Sequence, residues 1–290
     1  MASSTSEPKM ANLSVVNLRK LKNRDEAEMQ KLLQVSTAPG VFFLDLRLGS
    51  LLVLEEQSEI YSLAKTYFAQ SPDDKMKDAR LDQQPDQDRG YKQSECDETF
   101  EMSLDEFHVT GSTNINTKHL PPIFVQKSNL CHYYSHECHR ALLPLLSCLS
   151  TSLSLPPDQA LSTFHRESEK SDSGLKLIYE ACKPLLSEVV DNLHTDSGTF
   201  TMLFYDGVGL EFELVDKTSN TTSWEFAPLL PEGCALVNVA DSLARLSGGV
   251  LHSPRHRVTQ IGDGFMERYY ISYFLRPERA LKEKWASEAQ

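Results

Sequence analysis

Two groups of histidines carry the residue types and spacings best suited to chemistry. In His194-Thr195-Asp196 an imidazole and a carboxylate stand two positions apart. On a β-strand, residues i and i+2 project to the same side, so this pair can point together into one pocket. His256 follows sixty residues after the aspartate. An imidazole from a distant strand would complete a facial set of two histidines and one carboxylate. Such a set leaves adjacent coordination positions open and suits a non-haem Fe(II) ion that handles O2. His252 is the rival, four residues earlier in the same run from Leu251 to Val258. His256 is favoured because it enters the Val258 strand directly, whereas Pro254 cuts His252 off from it. Twelve residues beyond His256, Arg268 opens a strand-like run to Phe274. A guanidinium on an inward strand position can hold a distal carboxylate through a bidentate pair.

The second group is His132, His136 and His139, which share a helix face at i, i+4 and i+7. That face lies opposite an apolar stripe on the same helix, so it is predicted to meet water rather than a metal. His108, His119 and His165 read as isolated surface or loop histidines. Asn238 and Asp241 read as turn-fixing residues, and 216–222 as a polar hairpin loop.

These groups need elements to position them. Residues 1–12 are polar and small and are predicted to be disordered. A β-like run at Leu13–Leu18 precedes a helix over 25–35, a buried strand at Val41–Leu44 and a helix at Leu51–Phe68. Residues 73–106 hold twelve Asp/Glu against five Lys/Arg, more than half of the chain's charge excess. This segment reads as a solvated surface stretch or a flap at a pocket mouth, with Arg89-Gly90-Tyr91 its most useful piece. Residues 122–152 carry a helical pattern whose stripe is Tyr134, Cys138, Ala141, Leu142, Leu145 and Leu149. From Leu175 the pattern changes to short β-rich runs at 175–179, 199–205, 210–215, 235–239, 257–260 and 268–275. The fold class is therefore mostly β with α: a jelly-roll core preceded by helices and a few strands. The domains are expected at 13–174 (helical and strand-containing, with the long helix) and 175–280 (jelly roll), followed by a C-terminal tail at 281–290.

Composition bounds the partners. The 290 residues include 29 Lys/Arg and 41 Asp/Glu, a formal charge of −12. That balance argues against nucleic acid and anionic membrane surfaces as partners. Six scattered cysteines without a C-x-x-C read as free thiols in a reducing compartment, so a cytoplasmic location is expected. A small-molecule substrate and a monomer or weak dimer complete the expectation.

The segment from about Leu175 to Glu278 resembles the 2-oxoglutarate- and Fe(II)-dependent dioxygenases of the isopenicillin N synthase-like family. The matching pieces are 194–201, 237–241, Leu246-Ser-Gly-Gly249, 253–258 and 268–278, in the family's order and spacing. Val15–Leu18 and Pro39–Leu44 match its N-terminal part, and the resemblance spans roughly 13–280. The ending Phe-Leu-Arg-Pro-Glu278 looks most like fungal members that tailor secondary metabolites. The resemblance implies a double-stranded β-helix holding Fe(II) through His194, Asp196 and His256. It implies that 2-oxoglutarate chelates the iron and that its far carboxylate pairs with Arg268, with Tyr179 as a second contact and O2 as the oxidant. The family's Arg-x-Ser reads Arg268-Tyr269-Tyr270 here. That places the Tyr270 phenol in the cosubstrate pocket, with Ser272 two residues on along the same face. Hydroxylation, desaturation and ring rearrangement all remain open. So do an Fe(II) oxidase that uses no 2-oxoglutarate, a non-catalytic jelly-roll sensor and a zinc hydrolase.

Overall fold

The computed structural model describes residues 8–83, 87–107, 109–110, 114–115, 119–216 and 221–288. The N-terminal half runs β1 (Val15–Asn17), α1 (Leu18–Lys22), α2 (Glu26–Thr37), β2 (Val41–Asp45), α3 (Leu51–Phe68) and α4 (Pro72–Met76). Then come β3 (Gly90–Gln93), β4 (Glu98–Ser103), the short ribbon β5 (Val109–Thr110) and β6 (Asn114–Ile115), α5 (Pro122–Gln126) and α6 (Ser128–Ser152). The remainder is β7 (Gly174–Glu180), β8 (Phe200–Tyr205), β9 (Leu210–Asp216), β10 (Thr221–Phe226), β11 (Cys234–Val239), α7 (Asp241–Leu246), β12 (His256–Val258), β13 (Arg268–Leu275) and α8 (Arg279–Glu288).

Eight strands form one sheet in the order β1-β2-β11-β8-β13-β7-β4-β3, and β10-β9-β12 form a smaller one. Period-two alternation divides the large sheet into two faces. Leu175 and Leu177 of β7, Phe200, Met202 and Phe204 of β8, and Ile271, Tyr273 and Leu275 of β13 pack in one core cluster with the helices. α6 lays Tyr134, Cys138, Leu142, Leu145 and Leu149 into that cluster, as its i, i+3, i+4 spacing predicts. The opposite face, with Leu203, Tyr205 and Tyr270, joins Leu210 and Phe212 of the small sheet in a second cluster. The two sheets thus sandwich a jelly-roll interior. Burying each such leucine or phenylalanine contributes roughly 1.5–3 kcal/mol.

Several expectations change. Residues 9–12 are ordered: Met10 bridges to Phe226, and Lys9 pairs with Glu225 at 2.6 Å. Residues 1–7 lie outside the described residues. The acidic 73–106 segment is not a free flap, because β3 and β4 extend the large sheet next to β7. Several of its side chains are engaged there: Arg89 binds Asp105 and Asp172, while Tyr91 is buried and donates to Glu98. Strand β10, unmarked in the sequence, pairs with β9. Residues 217–220 of the expected loop between them lie outside the described residues. The tail is a helix through Glu288. Residues 13–174 supply half of the large sheet's strands as well as its helical cover. Among the described residues, no helix is long and apolar enough to cross a membrane.

Candidate metal centre and cosubstrate pocket

Backbone pairing brings the distant histidines together. His194 donates its amide to the His256 carbonyl at 3.0 Å, and His256 returns the bond at 2.9 Å. β12 also pairs with β9, where His256 lies opposite Phe212. The Asp196 turn is stitched to the start of α7: the Asp241 amide donates to the Asp196 carbonyl at 2.8 Å, and Thr195 Oγ1 donates to Asp241 at 2.9 Å. Asp241 therefore fixes the turn that carries Asp196.

His194, Asp196 and His256 place one ligand atom each within 4.8 Å of one another. Among the described residues this is the only group of three or more His, Cys, Asp or Glu side chains that converges so closely. His194 Nδ1 faces the Asn192 carbonyl at 2.6 Å, and His256 Nδ1 faces the Pro254 carbonyl at 3.2 Å. A carbonyl partner assigns the proton to Nδ1, which leaves each Nε2 lone pair free. Both Nε2 atoms face Asp196 Oδ1, at 3.9 and 3.8 Å, too long for hydrogen bonds and suited to a shared ion. The other carboxylate oxygen, Oδ2, accepts from Thr201 at 2.5 Å and from Asn238 at 2.9 Å. Burial would raise the Asp196 carboxyl, but the His256 imidazole and those two donors outweigh it and hold it below the usual range. Burial lowers His256 against the opposing pull of Asp196. One carboxylate oxygen and two imidazole nitrogens on one side of a space make a donor set that fits Fe(II). The His194 side chain is 49% exposed, so the mouth of the site lies on its side.

The sequence pattern marks Asn238 as a turn residue and does not single out Thr201. Both instead fix the carboxylate's orientation, across 42 positions of chain for Asn238. Asn238→Ala should lower Fe(II) affinity by about 10- to 100-fold without unfolding the protein, as measured by metal titration.

The three ligand side chains face a cavity of about 140 Å³ lined also by Lys176, Ile178, Glu180, Phe212, Tyr270 and Ser272. Tyr270 and Ser272 therefore sit where their strand face predicts. Tyr179 does not. Its ring stacks on Phe68 at 5.8 Å and its hydroxyl donates to Glu267 at 3.1 Å, on the far side of the sheet. The register pairs Arg268 with Glu180, so alternation turns Glu180 and Ile178 inward and Tyr179 out. Arg268 is buried but does not line this cavity. Its Nη2 meets Glu180 at 2.9 Å, and its Nη1 donates to the Val208 carbonyl at 3.0 Å. A Cβ at Gly209 would fall 1.5 Å from Arg268 Nη1 and 2.8 Å from the Thr259 carbonyl, so a side chain there would displace the guanidinium from this position. Sequence reasoning misses Glu180 and also Lys176, which pairs with Asp88.

The helix histidines form no comparable centre. His139 is buried, with its nitrogens engaged by the Tyr273 hydroxyl at 2.9 Å and the His165 carbonyl at 3.0 Å. His165, expected at the surface, is also buried and meets the Thr199 hydroxyl at 2.6 Å. His119 is exposed, and His108 lies outside the described residues. His252 packs near Ala38 and Pro39, away from the triad.

Known proteins share this arrangement of sequence and fold. The profile of the 2OG-Fe(II) oxygenase superfamily matches residues 157–277. The 2-oxoglutarate-dependent dioxygenase frbH of Dothideomycetidae sp. is 30% identical, over 92% of this chain and 83% of its own. The 2-oxoglutarate-dependent dioxygenase gloE of Glarea lozoyensis is 30% identical, over 92% and 80%. Among solved structures, a full-length Neurospora crassa protein in complex with alpha-KG and 5-formyluracil superposes with a TM-score of 0.70 at 19% identity, over 96% and 88% of the two chains. The dioxygenase for auxin oxidation 1 of Arabidopsis thaliana, in its 2-oxoglutarate complex, superposes with a TM-score of 0.70 at 20% identity, over 92% and 93%. Those two likenesses speak to the fold.

Proposed function

The chain belongs to the 2OG-Fe(II) oxygenase superfamily, an oxidoreductase family using Fe(II), 2-oxoglutarate and O2, and from that premise we propose that it oxidises a small-molecule natural product in fungal secondary-metabolite biosynthesis. His194, Asp196 and His256 hold the iron, and Arg268 receives the far carboxylate of 2-oxoglutarate. The observation that carries this reading is the convergence of two free Nε2 atoms on the one unsatisfied oxygen of Asp196. The fungal origin of the relatives supports the setting. Six free cysteines fit a cytoplasmic location.

When bound, Fe(II), 2-oxoglutarate and O2 would together supply an oxidant able to remove hydrogen from a C–H bond, with O2 as the electron acceptor and succinate and CO2 as the products of 2-oxoglutarate. The chain's own residues do the rest. Asn192 and Pro254 carbonyls orient the imidazoles, while Thr201 and Asn238 hold Asp196 in its ligating pose. Ile178, Leu203, Leu210, Phe212 and Val258 give the cavity an apolar wall that limits water. Ser272 offers a polar anchor on that cavity for the substrate, while Lys176 is held by Asp88. Hydroxylation, desaturation and ring rearrangement all begin with the same hydrogen removal, and the substrate's placement selects among them.

Anaerobic addition of Fe(II) and then 2-oxoglutarate to the apoprotein tests this reading. The expected result is a weak visible charge-transfer band, followed on admission of O2 by succinate formation. Iron binding without the band would overturn the 2-oxoglutarate assignment in favour of an Fe(II) oxidase of the same fold.

A further inference from the structure

The arginine assigned to the cosubstrate already has a carboxylate. Glu180 lies directly opposite Arg268 in the β7–β13 register, and the two meet at 2.9 Å with both side chains buried. The same Glu180 oxygen also accepts from the Tyr270 hydroxyl at 3.0 Å. Arg268 Nη1 is occupied by the Val208 carbonyl. A network of guanidinium, carboxylate and phenol therefore engages both terminal nitrogens of Arg268, the donors that a carboxylate would need.

We propose that Glu180 is a built-in competitor for the cosubstrate's far carboxylate, holding Arg268 in the free enzyme and releasing it by taking up a proton when a 2-oxo diacid binds. The proposal rests on the reading that Arg268 is the clamp for that carboxylate. Its physical basis is that two carboxylates cannot both stay charged against one guanidinium in a buried site. The groups facing Glu180 do not change that conclusion. From β13 come Arg268 and Tyr270, and from the β3–β4 turn come Asp97, which adds negative potential, and the Cys96 thiol. Lys183, Asn192 and Gln260 border the adjoining cleft. The Lys183 ammonium is turned away to the Glu95 carbonyl at 3.2 Å. Burial pushes the Glu180 carboxyl up to about 7 against the opposing pull of Arg268, so in the free enzyme it exchanges a proton near neutrality. A second carboxylate raises it further. Diacid binding then takes up a proton, and affinity falls with rising pH above neutrality by up to about tenfold per unit.

The test is an anaerobic titration of the Fe(II)-loaded protein, read by its charge-transfer band between pH 6 and 9. It compares 2-oxoglutarate with pyruvate, which chelates through the same 2-oxo acid end but lacks the far carboxylate. The wild-type Kd for 2-oxoglutarate should rise with pH relative to that for pyruvate. In Glu180→Gln the relative slope should vanish and 2-oxoglutarate should bind about tenfold more tightly at pH 8. Calorimetry of the wild type in buffers of different ionisation enthalpy should show proton uptake, which keeps the idea testable if the variant folds poorly. A band with equal affinity and equal slope in both proteins, and no proton uptake, overturns the proposal while leaving the dioxygenase reading intact. Failure of that reading is distinct: neither 2-oxo acid would give a band. An unchanged 2-oxoglutarate Kd in Arg268→Met would remove the clamp itself, and the proposal with it.

Discussion

Asp196→Ala is expected to abolish the Fe(II)–2-oxoglutarate charge-transfer band and all 2-oxoglutarate-dependent turnover, while leaving the fold in place. Asp196 supplies the only negative charge of the triad and the oxygen that both imidazoles address. Without it, two imidazole nitrogens remain, and the divalent ion loses its charged ligand. Residues that merely orient a ligand typically contribute 10- to 100-fold in metal affinity, so loss of the ligand itself should exceed about 100-fold. The fold should survive because the turn carrying Asp196 is held by main-chain bonds to Asp241 and by Ser242 Oγ on the Ser197 carbonyl at 2.7 Å. Thr201 and Asn238 lose their acceptor, a local cost of about 1–3 kcal/mol. Turnover surviving in a variant with unchanged near-UV circular dichroism would remove Asp196 from the centre.

The largest effect expected on stability comes from Arg276→Met. Arg276 pairs with Glu101, which is 2% exposed, and also donates to the Asp172 carbonyl. Its guanidinium lies 4.8 Å over the Phe274 ring. The pair ties β4, from the N-terminal half, to the end of β13 in the jelly roll. Removing one partner of a buried pair typically costs about 3–5 kcal/mol, because the remaining charge stays buried. Lys176 lies across from Glu101 in the β4–β7 register and remains as partial compensation, so the lower end, about 3 kcal/mol, is expected. The pH dependence has a definite sign. Burial, outweighing Arg276 and Lys176, raises the Glu101 carboxyl above its ordinary value. Loss of Arg276 raises it further, so the folded variant binds a proton more readily than the unfolded chain. The deficit should be full at neutral pH and shrink as pH falls through the acidic range. Denaturant midpoints at several pH values check this, and a loss below about 1 kcal/mol at neutral pH would show that the pair is dispensable.

Local spacing makes much of the molecule legible. The shared face of Arg268, Tyr270 and Ser272 is an intrinsic property of extended backbone, whereas His194 makes only an isolated bridge to His256 and Asp196 lies in the turn beyond it, so the expected strand does not carry that pair. The stripe on α6 follows from 3.6 residues per turn. Each of these depends only on neighbours along the chain.

Pairing between distant segments settles the rest. The entry into the Val258 strand favours His256 over His252 locally, but that His256 reaches His194 depends on amide bonds exchanged across sixty-two positions. Asn238 and Thr201 acquire their role from the β8–β11 pairing, which sets their side chains beside Asp196. His139 and His165 look solvent-facing as local pattern, yet they are buried because the chain after α6 folds back over that face. The clearest case is Tyr179 against Glu180. In Leu175-Lys-Leu-Ile-Tyr-Glu180 the alternation of apolar and polar residues breaks at Ile178 and Tyr179, so the run alone does not say which set faces the pocket. A one-residue change of parity exchanges the two faces, and the Arg268–Glu180 register fixes it. Donor types and their local spacing are thus written in the chain itself. That a glutamate, not a tyrosine, meets the arginine follows from the sheet register, because which face a strand buries is a property of its partners.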